Sequence, residues 1–319
     1  MEKVHYLGPD TNTLHGFFDK DLTPTLEIES GDTVIYKTLD SSWGIEKRSG
    51  LGQPRRKFTG LSEERVHNQF GHALIGPVFI KEAKPGQTLE IKINKIIPGD
   101  YGWISAGGFP SYWNKETDML NEPECTLDFD LDKESMVGKS SFGNFNYRVK
   151  LKPFMGIMGM PPKEEGRHST VVPRKWGGNI DCKELTAGST LYLPIPVEGG
   201  LFSIGDGHAA QGDGEVCGPA LECPMDQVSV TLTVRDDIKL KMPRAKTKDG
   251  WLTLGIHEDL NEAMWMALNE MIDLMTELYT IPRAEAYAYA SMVVDLRITQ
   301  IVNTNKGVHA FLPHNALLV

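Results

Sequence analysis

Cysteine is scarce in this sequence, which has four cysteines in 319 residues and no C-x-x-C pair. Four cysteines are too few for a disulfide framework in a chain of this length. The missing C-x-x-C spacing argues against a zinc site built from thiolates. Free thiols are typical of a reducing compartment, so we expect a cytoplasmic protein.

Long hydrophobic runs and an excess of positive charge are also missing. No segment approaches the roughly 18 consecutive apolar residues of a membrane-spanning helix, and the first residues lack the pattern of a signal peptide. The formal net charge is -10, and the one basic cluster, residues 54–57, is typical of a solvated loop. Binding of nucleic acid needs a basic surface for the phosphates. We therefore expect neither a membrane nor a nucleic acid as a partner.

The sequence does contain repeated alternation of apolar and polar residues between turns rich in glycine and proline. A period of two predicts β-strands. The alternating blocks are residues 23–38, 76–97, 189–196 and 227–235. We interpret the first two as strand–turn–strand hairpins, with turns at Gly31-Asp32 and Pro85-Gly86. These blocks together predict a body of antiparallel sheet.

The pattern changes to a helical period after Trp251. Residues 258–279 place apolar side chains at helical spacing behind an acidic start, which predicts a long amphipathic helix. A second helix is predicted from about Pro282 to Val294, because proline is favoured at the start of a helix. A short strand is predicted at Val308–Leu312. The predicted fold class is α+β, a sheet body with helices in the C-terminal part.

The expected organisation is one compact unit with two parts. Residues 1–250 would form the β-rich body, and residues 251–319 a helical part packed on it. Residues 41–66 show no clear period, which predicts a long loop of the kind that often serves as a lid or binding loop.

The segment Gly205–Gly218, GDGHAAQGDGEVCG, concentrates titratable residues between glycines. Asp206 and His208 are two residues apart and project to the same side of an extended chain. With further carboxylates they offer the mixed nitrogen and oxygen ligands that suit zinc or another divalent ion. Glu215 is a candidate for proton transfer, whereas Asp213 fits a turn-forming role, since aspartate in such a turn caps its own backbone.

Two more clusters contribute candidates. Near Asn179, the residues Asp181 and Lys183 either face a cleft or form a surface turn with a salt-bridged lysine. Further upstream, His72 precedes an apolar run and is a possible metal ligand. His67 is an equal alternative, and so is the interpretation that neither histidine binds a metal.

Several long motifs resemble the acetamidase/formamidase family. The central one is PRKWGGNIDCKELTAGSTLYLPIPVEGGLFSIGDGHAAQGDGEVCG, residues 173–218. Colinear similarity is found at residues 72–86, 153–162, 258–275 and 295–313. The resemblance implies hydrolysis of short-chain amides to carboxylate and ammonia, a β-sandwich-like body, a bound divalent metal, and a homodimer or higher homo-oligomer.

Amide hydrolysis needs a nucleophile, a polarised carbonyl and a proton for the amine, and a metal can supply the first two. We predict that zinc or calcium is held by His208, Asp206, Asp181 and His72. Glu215 would take the proton of the water and return it to the amine. Lys183 or a backbone N–H of the glycine-rich loop would stabilise the oxyanion. Asn179 or Gln211 would bind the substrate carboxamide.

Two alternatives remain at this stage. In the first, Cys217 is the nucleophile of a cysteine amidase, although the nearby Glu215 would disfavour a thiolate. In the second, the protein is a non-catalytic β module whose Asp-Gly loop holds structural calcium. His208 separates this second alternative from a metal hydrolase, because an oxygen-only calcium site has no use for imidazole.

Overall fold

A computed structural model describes residues 2–49, 53–66, 71–142 and 144–317. The strands in these ranges are β1 (Val4–Leu7), β2 (Leu14–His15), β3 (Phe17–Phe18), β4 (Leu26–Ile28), β5 (Thr33–Thr38), β6 (Leu74–Ile80), β7 (Thr88–Pro98), β8 (Tyr101–Ala106), β9 (Cys125–Asp132), β10 (Val137–Phe142), β11 (Phe145–Lys150), β12 (Phe154–Gly159), β13 (His168–Ser169), β14 (Gly177–Asn179), β15 (Thr190–Pro194), β16 (Phe202–Ala210), β17 (Leu221–Glu222), β18 (Met225–Arg235), β19 (Arg244–Lys246), β20 (Gly250–His257), β21 (Asp295–Gln300) and β22 (Lys306–Pro313). The helices in these ranges are α1 (Tyr112–Glu116), α2 (Leu260–Tyr279) and α3 (Arg283–Val293).

In the described part of the chain, two large sheets form the body of the molecule. One has nine strands in the order β1-β5-β18-β7-β15-β19-β20-β22-β21, and the other has eleven, with β16 at its centre between β12, β17 and β6. Most pairs are antiparallel, and the parallel pairs are β1 with β5 and β4 with β6. Buried residues of both sheets, such as Ile91 and Phe202, share one hydrophobic core. The predicted α+β fold with a sandwich-like antiparallel body is confirmed.

The strands of the first two alternating blocks are present, but the hairpin interpretation is wrong. In the block 23–38, β4 joins the eleven-stranded sheet and β5 the nine-stranded sheet. In the block 76–97, β6 and β7 are divided between the sheets in the same way. Alternation identifies the faces of a strand and not its partner. The connections are also longer than the two-residue turns that favour pairing of adjacent strands.

Both C-terminal helices are close to their predicted positions. The helix α2 begins at Leu260, where the carboxylate of Asp259 accepts hydrogen bonds from two backbone N–H groups of the first turn. It packs on β20 and β22, and the predicted strand 308–312 forms the middle of β22. The strand β21 was not predicted. No helix among the described residues is long and apolar enough to span a membrane.

Candidate active site

The side chains of the site come from adjacent strands of the eleven-stranded sheet. β12 pairs with β16 on one side and with β14 on the other. Asp206 and His208 lie on β16, and Asp181 follows β14 by two residues. β17 pairs with β16 so that Glu222 is opposite His208. The loop between β16 and β17 carries Glu215. Sheet pairing, together with the segments that follow β14 and β16, thus brings five titratable groups into one place.

These groups form two overlapping clusters that share His208. Potential ligand atoms of Asp181, Asp206 and His208 lie within 4.8 Å of one another, and so do those of His208, Glu215 and Glu222. The Nε2 atom of His208 is 3.4 Å from Asp206 Oδ1 and 3.2 Å from Glu222 Oε1. All five side chains are buried. Buried charges at such short range require a compensating partner.

Gly156 of β12 provides the space in which three of these side chains meet. A Cβ atom at this position would lie 2.7 Å from Asp181 Oδ1, 2.7 Å from Asp206 Oδ2 and 2.8 Å from His208 Cε1. Any larger residue here would push the cluster apart. The glycine is therefore a steric requirement of the site.

Three of the acidic residues have unusual backbone conformations. The φ angles of Asp181, Asp206 and Glu215 are 51°, 58° and 48°, in the left-handed region that residues other than glycine rarely occupy. Such conformations cost free energy, and they concentrate at functional sites where the surrounding structure imposes them. Their occurrence at three of the clustered acids supports a functional role for the cluster.

Gln211 fixes the orientation of the His208 ring. The Nδ1–H of His208 donates to Gln211 Oε1 at 3.1 Å, and Gln211 Nε2 donates to the backbone oxygen of Asp181 at 2.7 Å. This arrangement places the proton of neutral His208 on Nδ1 and leaves the lone pair of Nε2 for the acidic cluster. A hydrogen bond of this kind orients a metal-binding histidine.

A segment close to the C-terminal end of the chain completes the site. Asn303 Nδ2 donates to Asp181 Oδ2 at 2.9 Å. With its amide nitrogen facing the carboxylates, Asn179 donates to Asp181 Oδ1 at 3.2 Å and Asp206 Oδ2 at 3.1 Å. Its oxygen then accepts from Asn303 Nδ2. Gly214, next to Glu215, exchanges backbone hydrogen bonds with Thr299 and Ile301.

Burial and mutual repulsion shift the pKa values of the acids. Burial raises the pKa of Asp181 to about 7, and it also raises the pKa of Glu222. Burial and the nearby Asp181 raise the pKa of Glu215 well above its usual range. Burial acts to lower the pKa of His208, but the charges of Glu222 and Asp206 outweigh it and raise this pKa. The cluster therefore contains more negative charge than its one imidazole can compensate.

The donor set fits a divalent cation. Among the described residues, three buried atoms of the cluster have no hydrogen-bond partner, and these are Asp206 Oδ1, His208 Nε2 and Glu222 Oε2. Buried polar atoms are seldom left without a partner. One imidazole nitrogen and several carboxylate oxygens are ligands that zinc accepts, and calcium accepts the oxygens.

A cavity of about 430 Å³ opens next to the cluster. Its lining includes Asp206, Glu215, Glu222, Asn179 and Asn303. The cavity gives a small molecule access to the buried acids.

His72 lies at this cavity but outside the two ligand clusters found among the described residues. Its Nδ1 atom is 2.9 Å from the hydroxyl oxygen of Thr170. Burial acts to raise the pKa of Asp206, but the charges of His72 and His208 outweigh it and hold this pKa below its usual range. Three of the four predicted metal ligands thus come together, and His72 lies at the same cavity outside their cluster. His67 lies outside the described residues.

Lys183 and Cys217 do not belong to the lining of this cavity in the described part of the chain. Lys183 forms an ion pair with Asp213 at 3.0 Å. Cys217 is half-buried at a neighbouring cavity of similar size, and burial raises the pKa of its thiol. Glu215 lines both cavities.

Glu222 and Asn303 were missed by the sequence analysis. Glu222 is a single acidic residue in a two-residue strand, so no local pattern marks it. The glycine-rich stretch between His208 and Glu222 could have indicated this residue. If the chain reverses direction there, the strand that follows pairs with β16 and Glu222 lies opposite His208. No comparable signal marks Asn303.

Comparisons with known proteins agree with this architecture. The model of the acetamidase/formamidase family matches residues 163–250, which include Asp181, Asp206, His208, Glu215 and Glu222. The resemblance to the acetamidase/formamidase family is confirmed. A proposed formamidase of Schizosaccharomyces pombe is 54% identical over 260 residues, 64% of this chain and 60% of that protein.

Solved structures of acetamidases are similar over almost the whole chain. The acetamidase of Bacillus halodurans has 27% identity and a TM-score of 0.80, covering 97% of both chains. The acetamidase of Yersinia enterocolitica has 26% identity and a TM-score of 0.82, covering 99% of this chain and 93% of the other. Matches to curated relatives span less of those proteins, between 13% and 60% of their lengths.

Proposed function

We propose that the protein is a metal-dependent amidase that hydrolyses short-chain amides, such as formamide or acetamide, to carboxylate and ammonia. The family resemblance supports the reaction class. The observation that carries the proposal is the buried acidic cluster. Three of its atoms have no hydrogen-bond partner among the described residues, and its residues Asp206, Glu215 and Glu222 line a cavity open to a small molecule.

The residues that would hold a divalent ion are His208, Asp206 and Asp181, with Glu222 as a further ligand. We keep zinc and calcium as alternatives. A bound ion would polarise the amide carbonyl and lower the pKa of a water molecule. His72 would act electrostatically rather than as a ligand, because it lies at the cavity but belongs to neither cluster of ligand atoms found among the described residues.

Glu215 is the proposed proton carrier. Its carboxylate would accept a proton from the attacking water as the oxygen bonds to the amide carbon. The same proton would then pass to the nitrogen as the carbon–nitrogen bond breaks and ammonia leaves. A raised pKa suits a carboxylate that must both accept and donate a proton.

Side-chain positions favour some candidates over others, both for binding the substrate carboxamide and for stabilising the oxyanion. Asn179 belongs to the lining of the cavity and Gln211 does not, so Asn179 is the better candidate for binding the carboxamide. Lys183 is paired with Asp213, which favours a backbone N–H group as the oxyanion donor.

The cysteine amidase and the structural calcium module are less well supported than the metal-dependent amidase. The half-buried Cys217 has a raised pKa and lines the neighbouring cavity, whereas a nucleophilic cysteine needs a lowered pKa. A structural calcium module does not account for an imidazole shared by both ligand clusters.

Assembly into a homodimer or higher homo-oligomer and a cytoplasmic location are also part of the proposal. Apolar side chains are exposed on the C-terminal helices and β21, and among them are Trp265, Tyr287, Met292 and Leu296. Large exposed apolar patches often form interfaces. The four cysteines are free, which suits a reducing compartment.

Ammonia release from formamide and acetamide tests the activity, measured before chelation, after chelation and after separate additions of zinc and calcium. We expect chelation to abolish release and one of the two ions to restore it. His208→Ala should lose both activity and bound metal. An active His208→Ala variant would contradict the ligand assignment, and absence of ammonia from every amide would contradict the amidase.

A further inference from the structure

The cavity is larger than formamide or acetamide requires. At about 30 Å³ for each water-sized group, either amide would fill roughly 100 Å³. The cavity measures about 430 Å³, a volume in the range of pockets that enclose much larger ligands. A small amide would leave most of this space to water.

Aromatic rings line the additional space. The cavity is bordered by Trp43, Trp103, Phe109 and Trp113. Phe109 and Trp113 are in an edge-to-face arrangement with ring centroids 6.2 Å apart. Aromatic side chains in a pocket favour apolar ligands, and they pack with other rings in this geometry and in offset stacks.

Two of the three indoles, those of Trp103 and Trp113, are held close to residues of the acidic cluster. Trp103 is opposite Glu222 in the pairing of β8 with β17. Trp113 Nε1 donates to the backbone oxygen of Cys217 at 3.0 Å, two residues after Glu215. A ligand that reaches these rings would therefore keep its reacting group within reach of the acids.

We propose that the preferred substrates are primary amides whose acyl group carries an aromatic ring. This inference rests on the proposed amidase function and extends it to a substrate class. Binding of the ring in the aromatic part of the cavity would supply energy remote from the reacting bond, and such energy can raise kcat/KM.

Ammonia release from acetamide, cyclohexylacetamide and phenylacetamide tests the preference with the metal-loaded enzyme. We expect kcat/KM for phenylacetamide to exceed that for acetamide by about tenfold or more, and to exceed that for cyclohexylacetamide. Acetamide equal to or better than phenylacetamide would overturn the substrate class and leave the amidase intact. Ammonia from none of the three would overturn both.

Variants of the lining test whether the rings are responsible. Trp103→Leu and Phe109→Ala should each reduce the ratio of phenylacetamide to acetamide turnover several-fold. Since both substrates are measured on one preparation, a loss of folded protein lowers both rates and leaves the ratio unchanged. Phe145→Ala is the matched control for Phe109→Ala, because Phe145 is 66% exposed on β11 and lies outside the cavity lining. An unchanged ratio in both lining variants would contradict the proposal.

Discussion

Asn303 donates a hydrogen bond to Asp181 across 122 residues of sequence, from Nδ2 to Oδ2 at 2.9 Å. The same amide nitrogen is 3.1 Å from the oxygen of Asn179 in the orientation that lets Asn179 donate to both carboxylates. Asn303 thus connects the segment after β21 to the centre of the acidic cluster. It contacts a proposed metal ligand, so we assign it a positioning role.

Replacement of Asn303 by alanine should reduce activity and metal affinity together. Without this donor, Asp181 loses a hydrogen bond and Asn179 loses the group that orients it. Loss of such a partner typically costs about 10–100-fold in metal affinity or activity. The measurements are kcat and KM for acetamide and the zinc dissociation constant from a chelator competition.

Asn305→Ala is the control for Asn303→Ala. Asn305 belongs to the same segment, but its amide donates to the backbone oxygen of Pro173 at 3.0 Å. Equal losses of metal affinity in the two variants would mean that the fold of the segment matters and the contact to Asp181 does not.

Local spacing predicted part of this site from the sequence. Asp206 and His208 are two residues apart on one strand, and the structure brings Asp181 to them. Glu222 and Asn303 depend on which strands pair and where the chain returns, which residue spacing does not specify. The hairpin predictions failed for the same reason, because β4 and β5 alternate as expected but join different sheets.

Gly156→Ala should remove the metal site while leaving the fold intact. The added methyl group would lie 2.7 Å from oxygen atoms of both Asp181 and Asp206, so these side chains must separate. We expect activity and metal content to fall by at least about tenfold, with an unchanged far-ultraviolet circular dichroism spectrum.

Gly212→Ala is the matched control, since a Cβ atom at Gly212 would meet nothing within 4 Å. This position lies in the loop between His208 and Glu215, and the variant should keep its metal and its activity. A Gly156→Ala protein with normal metal content would show that the cluster tolerates expansion and is not a confined ion site.

Glu215 and Cys217 distinguish the two hydrolytic mechanisms. Glu215→Gln keeps the shape of the side chain but cannot carry the proton, so we expect kcat to fall by about 10²–10⁴-fold. Cys217→Ser should retain its activity, because the thiol has a raised pKa and lies outside the lining of the substrate cavity. Steady-state ammonia release measures both. An inactive Cys217→Ser enzyme, with an active Glu215→Gln enzyme, would reverse the assignment.

His15 should make the protein less stable in mild acid. It is fully buried between the backbone oxygen of Phe17 and the hydroxyl of Ser203, and burial lowers its pKa to about 3. The unfolded chain binds a proton near pH 6.5, above the folded pKa. The stabilisation is therefore complete above pH 6.5 and is lost as the pH falls toward 3. From pH 7 to pH 5 this one group should cost about 2 kcal/mol of unfolding free energy.

The comparison of wild type with His15→Gln isolates this effect from other titrating groups. Glutamine has no proton to gain in this range, so the variant should lose less stability than the wild type between pH 7 and pH 5, whatever its stability at pH 7. Urea unfolding at pH 7, 6 and 5 gives the free energy of unfolding of each protein, and hence its slope against pH. If the free energy of unfolding fell equally with pH in the two proteins, His15 would become protonated in the folded state as readily as in the unfolded chain.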